Sequence, residues 1–380
     1  MRRLAPLLIA IAAAVNLTAA VVVVMRDPSR AGDLNVVYDW CQGWLSHAER
    51  LYTESTAAAD YPPPAIVLLS PMALVPERWL VPVWTALSLV LAPLLAFLGV
   101  RCASRDRRAW VVPVLLVLCW SCMRTLLQFS VLSLAGALWA LWIVDSSWIA
   151  SGLVMGLALF KPHIAGPIAL WMLITGRARQ VAVAVAVTAS GWTVYDIRIG
   201  ESPLATLAGY ARVLGEQYGG VYGLTGQTSV RGWAQLAAAD PRVSDGLWIA
   251  MAALLLAAVC WLARRDPRRP LDEGGLAVPG LFCLWSLLTF YHNGNNLILA
   301  LPAFAWLWFL DDRLDRASRW IPIVIWQAVM MYDVPARLGS ASAPEGWLRI
   351  AAVHFDRAAI LIAFVYVSVL WYRQTRTTAS

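Results

Sequence analysis

The sequence predicts an all-α membrane protein with about twelve transmembrane helices. Of its 380 residues, 60% are hydrophobic and only 14% are charged, and the mean hydropathy is +0.64. A soluble domain has a far more even balance, so the composition assigns the chain to a lipid bilayer. Lipid cannot satisfy the polar groups of an exposed backbone, and apolar runs that cross it must therefore be helical.

Apolar runs recur along the chain and define the predicted elements. They cover approximately residues 4–25, 62–76, 79–100, 109–123, 126–143, 148–175, 181–197, 246–263, 276–291, 295–310, 320–332 and 358–372. The run at 148–175 is interrupted in its middle by the sequence KPH. We predict one membrane domain over residues 1–380 rather than a soluble domain with an anchor.

Positively charged segments between the runs predict the orientation. They include MRR at the N-terminus, GRAR at 176–179, RRDPRR at 264–269 and RQTR near the C-terminus. The positive-inside rule assigns these segments, and both termini, to the cytoplasm. Two long polar segments, 26–61 and 198–245, then lie on the outer face. The net charge of +7 reflects this orientation, so nucleic-acid binding is not expected.

The basic segment RCASRDRR at 101–108 leaves two topologies open. It should face the cytoplasm, yet one crossing each for 62–76 and 79–100 would put it outside. In one solution, 62–76 crosses and 148–175 is a single bent span. In the other, 62–76 only dips into the membrane and 148–175 forms a hairpin around KPH. Both solutions keep the two long loops on the outer face.

The first outer loop, residues 26–61, is acidic and ends in DYPPP. Apolar residues recur at helical spacing between 36 and 51, which predicts an amphipathic helix in the plane of the membrane interface. Asp33 precedes this helix and either caps it or faces a cavity, whereas Asp39 lies on its polar face. The prolines begin the next apolar helix, and Tyr61 beside them is suited to shaping a pocket for a lipid headgroup.

Lys161, the only lysine in the chain, and His163 interrupt the run at 148–175. A cation at such a position is costly unless it reaches the membrane surface or has an anionic partner. We interpret this lysine as a candidate phosphate ligand.

Two further polar segments lie in predicted outer regions. FYHNGNN carries His292 and Asn293 at the end of a span, where their hydrogen-bonding groups suit sugar hydroxyls or a phosphate. The glycine-rich GGVYGLTGQTSVRGWAQ carries Gln227 and Arg231, and it is predicted to be a mobile loop that folds over a substrate.

Several kinds of chemistry have no visible residues in this sequence. The six cysteines show no metal-ligand spacing, and Cys119 and Cys122, although spaced as CxxC, are flanked by apolar residues and are expected to pack in the core. Motifs for nucleophilic, zinc-dependent or ATP-driven catalysis are also missing. We therefore expect no metal site and no cofactor.

Four of these features occur in an order that resembles glycosyltransferase family 87, the polyprenyl-phosphate-mannose-dependent mannosyltransferases of the GT-C fold. They are DLNVVY in the first loop, YPPP at the next run, KP in the broken run and a histidine in the late outer turn. The resemblance implies a GT-C-like enzyme of the bacterial plasma membrane, with its active site on the extracytoplasmic side. It implies a polyprenyl-phosphate sugar as donor, a glycolipid or glycan as acceptor, and no nucleotide sugar.

The resemblance also implies roles for individual residues. Asp33 matches the loop carboxylate before xxVY and becomes the candidate general base. Tyr38 and Tyr61 match the aromatic residues beside the pocket, Lys161 matches the KP lysine, and His292 matches the late histidine. We assign further polar residues near these motifs to substrate binding: Asp39, His163, Gln227, Arg231 and Asn293.

Other functions remain open from sequence. A transporter or flippase of a lipid-linked or small solute would also place Lys161 and His292 near the membrane, although the chain shows no clear internal repeat. An O-antigen polymerase or ligase would rely on arginines in a large outer loop, whereas the acidic first loop is the better-marked feature here. The chain also has LQ at Leu127 and Gln128, where the family more often has GQ.

Overall fold

The structure is a computed structural model that describes residues 32–53, 59–103, 129–219, 229–238, 240–265, 275–290, 294–309 and 347–377, with a few isolated residues, His292 among them. Throughout these residues the secondary structure is helical and contains no strand, which confirms the predicted all-α class. The predicted runs 4–25, 109–123 and 320–332 lie almost entirely outside the described residues.

Most helices follow the predicted apolar runs, and three lie within the predicted outer loops 26–61 and 198–245. In chain order the α-helices are α1 Gly32–His47, α2 Pro63–Leu69, α3 Glu77–Ala103, α4 Ser130–Trp142, α5 Trp148–Ala158, α6 Pro162–Ile174, α7 Ala178–Ile199, α8 Pro203–Gly219, α9 Arg231–Ala237, α10 Pro241–Arg265, α11 Ala277–Thr289, α12 Leu301–Phe309 and α13 Trp347–Thr377. Two 3-10 helices, Ser70–Leu74 and Gly294–Ala300, precede α3 and α12.

Among the described residues, two helical segments have the length and composition of a membrane span. They are Pro241–Arg264 of α10 and Arg357–Thr375 of α13. A third span would come from Pro63–Leu74 and Glu77–Ser88 taken together, although these two helices are bent by 115°. Shorter apolar helices of 10–17 residues coincide with several other predicted runs. The count of about twelve spans stays a prediction.

The bent pair bears on the two topologies left open by the sequence. The helical segment 63–74 extends about 20 Å at 1.5–2 Å per residue, against about 30 Å of hydrocarbon. A bend of 115° exceeds a right angle, so α3 runs back against the direction of α2. This geometry favours the topology in which residues 62–76 enter the membrane without crossing it.

The described chain forms two compact units. The first comprises Met1–Leu98, Trp110–Gly166 and Ala178–Val221, and the second comprises Gly99–Ala109, Pro167–Arg177 and Tyr222–Ser380. The first unit contains α1, α2, α4, α5, α7, α8 and most of α3, while α9 to α13 belong to the second.

In the first unit, α1 carries the apolar stripe that the sequence predicted. Val37, Trp40, Cys41 and Trp44 are all buried, which confirms a helix with one apolar face. The helix spans Gly32–His47 rather than 36–51. Its apolar face joins the core formed with α2 and the following 3-10 helix, so other helices cover the stripe. The position of α1 in the plane of the membrane interface stays a prediction.

The helices α5 and α7 approach each other closely through glycines. A Cβ added to Gly152 would lie 2.6 Å from Cβ of Val183, and one added to Gly156 would lie 2.6 Å from Cβ of Val187. Small residues four positions apart allow helix backbones to come together, as is common within membranes. The two glycines therefore allow the close contact between α5 and α7 within the first unit.

The second unit is centred on α11, in which all thirteen residues are buried. Gly280 of this helix lies against Ala303 of α12, where an added Cβ would be 2.6 Å from the Cα of Ala303. The indole Nε1 of Trp285 donates to the carbonyl oxygen of Ala252 in α10, at 3.0 Å. The helix α11 thus packs against α10 and α12, and at Gly280 there is no room for a larger residue.

Candidate active site

Lys161 lies in the short break between α5 and α6. A residue before proline is disfavoured in a helix, and Pro162 is favoured at a helix start, so the sequence KP ends one helix and begins the next. The freed carbonyl of Ala158 accepts a hydrogen bond from Oγ of Ser133, at 2.8 Å. Local sequence thereby holds a lysine at a helix break inside the first unit.

The Lys161 side chain is buried and bonded to Tyr61. Only 5% of it is exposed, so the ammonium group does not reach outward to water. Its Nζ donates to the hydroxyl of Tyr61 at 2.8 Å and lies 4.9 Å from the centre of the same ring. Among the described residues this is the only hydrogen bond that the ammonium makes, and its acceptor is a neutral group.

Tyr61 is held on several sides. Its ring packs edge-on to Phe129, with centroids 5.9 Å apart, and tilted to Trp40 at 6.0 Å. Its carbonyl oxygen accepts from the hydroxyl of Tyr52 at 2.6 Å. Burial raises the pKa of Tyr61 well above its ordinary value, and the negative charges of Asp60 and Asp33 raise it further. The hydroxyl therefore stays protonated and neutral beside the lysine.

Asp33 is the second residue of α1 and lies in its first turn, not before the helix as the sequence analysis expected. The helix dipole stabilises a carboxylate in this turn, which is why an acidic residue fits near the start of α1. The side chain is exposed, and its charge acts on both Tyr61 and Lys161. The structure thus brings Asp33, Tyr61 and Lys161 within electrostatic range of one another.

Asp60 is a second carboxylate of this cluster that the sequence analysis did not select. It is partly buried, and its charge acts on Lys161 as well as on Tyr61 and Tyr52. The available signal was its place in DYPPP, directly before Tyr61. The charges of two acidic side chains, from different segments of the first loop, therefore act on one buried cation.

Tyr38 and Asp39 occupy other parts of α1. The Tyr38 hydroxyl donates to the carbonyl oxygen of Val75 at 3.0 Å and accepts from Nε2 of Gln42 at 3.0 Å, so it ties α1 to the segment before α3. Asp39 is exposed, and partial burial followed by the charge of Glu77 raises its pKa. The charge of an acid thus acts on Asp39, whereas the charge of Asp33 acts on Lys161.

Two of the predicted substrate-binding residues belong to the second unit. Arg231 begins α9 and pairs with Asp245, its Nη2 lying 2.9 Å from Oδ1, while its guanidinium lies 5.3 Å from the ring centre of Trp248. His292 is fully buried, and its Nε2 lies 3.1 Å from Oγ of Ser286 in α11.

The remaining candidates are less well defined by the structure. His163 is half-buried in the first turn of α6. Gln227, with residues 220–228 of the glycine-rich segment, and Asn293 lie outside the described residues, whereas the end of that segment forms the helix α9 and not the predicted loop. In the described ranges, no group of three or more His, Cys, Asp or Glu side chains is arranged to hold a metal ion.

The described chain has an all-helical fold with apolar helices. It also has a buried lysine on which the charges of two carboxylates act. These features define a helical membrane protein with a polar site. The sequence model of glycosyltransferase family 87 matches residues 60–290, which is more than half of the chain. The chain belongs to this family and is a glycosyltransferase. No curated protein and no solved structure matches it at a significant level. Tyr61, Lys161 and Arg231 fall inside the matched residues, and Asp33 and His292 fall outside them.

Proposed function

We propose that this glycosyltransferase transfers mannose from a polyprenyl-phosphate-linked donor to a glycolipid or glycan acceptor, on the extracytoplasmic side of the bacterial plasma membrane. The proposal is carried by the cluster of Asp33, Tyr61 and Lys161, in which an exposed carboxylate stands within electrostatic range of a buried ammonium. A base and a cation are the two groups that sugar transfer from a lipid phosphate requires.

The reaction is a single displacement with Asp33 as general base. An acceptor hydroxyl has a pKa far above neutrality, so its proton must pass to the carboxylate as the oxygen bonds to the anomeric carbon. The bond from that carbon to the phosphate oxygen breaks, and its electron pair leaves with the polyprenyl phosphate. One displacement inverts the anomeric centre and needs one base, not the two carboxylates of a retaining hydrolase.

Lys161 is the cation that receives the leaving phosphate. An ammonium has three N–H donors, and in the described part of the chain Lys161 uses one of them, toward Tyr61. A charge held in a site with little water stabilises a developing phosphate charge more strongly than it would at the surface. Arg231 is a weaker candidate for this role because Asp245 already neutralises its guanidinium.

A lipid-linked donor also accounts for the membrane character of the chain. Its prenyl tail stays in the bilayer while its headgroup reaches the site, so the enzyme must itself be embedded. The apolar segments Pro241–Arg264 and Arg357–Thr375 support such an anchoring framework. Of the other predicted site residues in the first unit, Tyr38 and His163 are proposed to line the headgroup and acceptor positions.

The experiment is a transfer assay in proteoliposomes with polyprenyl-phosphate-mannose and a set of acceptor glycolipids. Asp33→Asn keeps the size of the side chain and removes the base, so release of polyprenyl phosphate should fall by at least about 100-fold. Asp39→Asn is the same change on the same helix beside Glu77, and it should keep most of the activity. If Asp39→Asn abolished transfer while Asp33→Asn did not, the base would be Asp39.

The same preparation separates transfer from transport. Wild-type protein that released no polyprenyl phosphate from any lipid-linked hexose or pentose, yet exchanged a labelled solute across the membrane, would be a transporter. Release with a pentose donor but not with mannose would keep the reaction and change the sugar.

A further inference from the structure

We propose that Tyr52 is a positioning residue for Lys161, and that it couples the lysine to α8 in the predicted second outer loop. The inference rests on the proposed function, in which Lys161 receives the leaving phosphate. Tyr52 is assigned no role by the sequence motifs, and it is 2% exposed in the turn that follows α1.

Two consecutive hydrogen bonds join Tyr52 to the lysine. The Tyr52 hydroxyl donates to the carbonyl oxygen of Tyr61 at 2.6 Å, and the Tyr61 hydroxyl accepts from Nζ of Lys161 at 2.8 Å. The carbonyl belongs to the peptide between Tyr61 and Pro62, which has no N–H group, so this oxygen is its only hydrogen-bonding atom. Tyr52 thus holds the peptide plane between Tyr61 and Pro62, and this plane sets the orientation of Tyr61 relative to the prolines that follow.

The helix α8 holds Tyr52 from the other side. Nη2 of Arg212 donates to the carbonyl oxygen of Tyr52 at 2.9 Å. Gly209 packs on the same oxygen so closely that an added Cβ would lie 2.7 Å from it. The Tyr52 ring meets Tyr210 edge-on, with centroids 5.6 Å apart. The helix α8 therefore contacts both the backbone and the ring of Tyr52, and Tyr195 of α7 packs on the same ring with centroids 5.4 Å apart.

The hydroxyl of Tyr52 remains a donor under working conditions. Burial, as the largest cause, and the neighbouring tyrosines and Asp60 raise the pKa of Tyr52 well above its ordinary value. The proton needed for the bond to the Tyr61 carbonyl is thus retained. The Tyr210 hydroxyl makes a longer bond, 3.5 Å, to the preceding carbonyl of Asp60, so two tyrosines hold successive peptides of the DYPPP segment.

Loss of this positioning should act on the chemical step. An ammonium displaced by a fraction of an ångström still binds the donor phosphate, but it meets the charge of the transition state less well. Tyr52→Phe should lower kcat about tenfold with little change in donor KM, a pattern that marks an interaction made in the transition state.

A double-mutant cycle tests whether the effect passes through Tyr61. On a Tyr61→Phe background Lys161 has lost its acceptor, so adding Tyr52→Phe should lower kcat by less than about twofold. Tyr195→Phe is the matched control, since it removes the same atom from the same aromatic cluster and its hydroxyl accepts from the Leu51 amide at 3.3 Å instead. Its effect should be equal in both backgrounds. An equal tenfold loss from Tyr52→Phe in both backgrounds would overturn the proposal.

The coupling to α8 has its own matched pair. Gly209→Ala should push the Tyr52 carbonyl aside and reproduce the loss in kcat. Gly215→Ala lies on the same helix with no atom within 4 Å of the added Cβ, and its kcat should be unchanged. Equal kcat values for the two variants would show that α8 does not position Tyr52.

A spectroscopic readout keeps this inference separate from the proposed function. Lys161 is the only lysine, so protein grown with ¹³Cε-lysine gives one NMR signal, and its chemical shift reports the place of the ammonium beside the Tyr61 ring. Tyr52→Phe should move this signal and Tyr195→Phe should leave it in place, whether or not the wild type transfers a sugar. If wild type is active but Tyr52→Phe leaves both kcat and the signal unchanged, the positioning role fails and the proposed function stands.

Discussion

Among the described residues, Lys161 combines deep burial with one hydrogen bond, to a neutral hydroxyl, and the negative charges that act on it belong to side chains that water can still reach. Burying an ammonium in this way carries a large desolvation cost that one phenol does not offset. These surroundings suit a lysine whose charge is paired when an anionic ligand binds. Its surroundings thus favour ligand binding over stability.

This balance leads to a prediction for Lys161→Met. The variant should lose sugar transfer by at least about 100-fold, because the leaving phosphate loses its cation. Its thermal unfolding temperature should be unchanged or higher, since an incompletely paired buried charge has been replaced by a flexible apolar side chain. Activity and thermal unfolding measured on the same purified protein test both parts. A variant that unfolds at a markedly lower temperature would show that the lysine is mainly structural.

At the residue scale, sequence selected the proposed base and the proposed phosphate ligand but not the residues around them. Lys161 and Asp33 were visible because a lone lysine in an apolar run and an acid beside one are unusual in composition. Tyr52 bonds to the backbone of Tyr61, and Tyr210 bonds to the backbone of Asp60, and such bonds depend on which backbone atoms meet after folding. No spacing rule encodes such contacts.

At the scale of elements, the glycines of α5 set how closely it packs on α7. Gly152→Ala would put a methyl group 2.6 Å from both the carbonyl oxygen of Gln180 and Cβ of Val183, so the helices must move apart. We expect a loss of about 1–3 kcal/mol in the free energy of unfolding. Denaturation in detergent micelles measures it.

The control for this prediction is Gly246→Ala in α10, where an added Cβ meets no atom within 4 Å. Alanine is favoured over glycine in a helix by up to about 1 kcal/mol, so this variant should be neutral or slightly more stable. Equal effects of the two substitutions would mean that the contact between α5 and α7 is not tight.

The sequence predicted the positions of most helices but not which elements pack on them. The stripe of α1 and the start of α2 at the prolines were both predicted, since helical spacing and proline geometry are local properties. The partner of that stripe was not, because an apolar face looks the same whether a bilayer or another helix covers it. Tyr38 likewise reads as a pocket residue from its motif, while its hydroxyl ties α1 to Val75.

At the scale of the whole molecule, the orientation in the membrane is the prediction with the widest consequences. His47, in the last turn of α1, and Arg179, in the first turn of α7, are both exposed. A membrane-impermeant maleimide should label His47→Cys in intact cells and should label Arg179→Cys only after the membrane is permeabilised. Labelling of Arg179→Cys in intact cells would reverse the orientation and remove the extracytoplasmic site.

Composition alone identified a membrane protein, yet it could not fix the number of crossings. By hydropathy, residues 62–76 are one more apolar run. The length of this helical segment and its 115° bend relative to α3 depend instead on packing against α1. The residues that match the family begin at position 60, so the family match alone does not include Asp33.

That bend has a consequence for how this region can vary in length. The helix α1 contacts both ends of the bent segment, since Trp40 packs on Tyr61 and the Tyr38 hydroxyl donates to the carbonyl oxygen of Val75. One residue inserted between Pro63 and Leu74 would turn the two ends by about 100° relative to each other. An ordinary spanning helix tolerates such an insertion by tilting, whereas here α1 contacts both ends of the segment, so the insertion should disrupt one of these contacts.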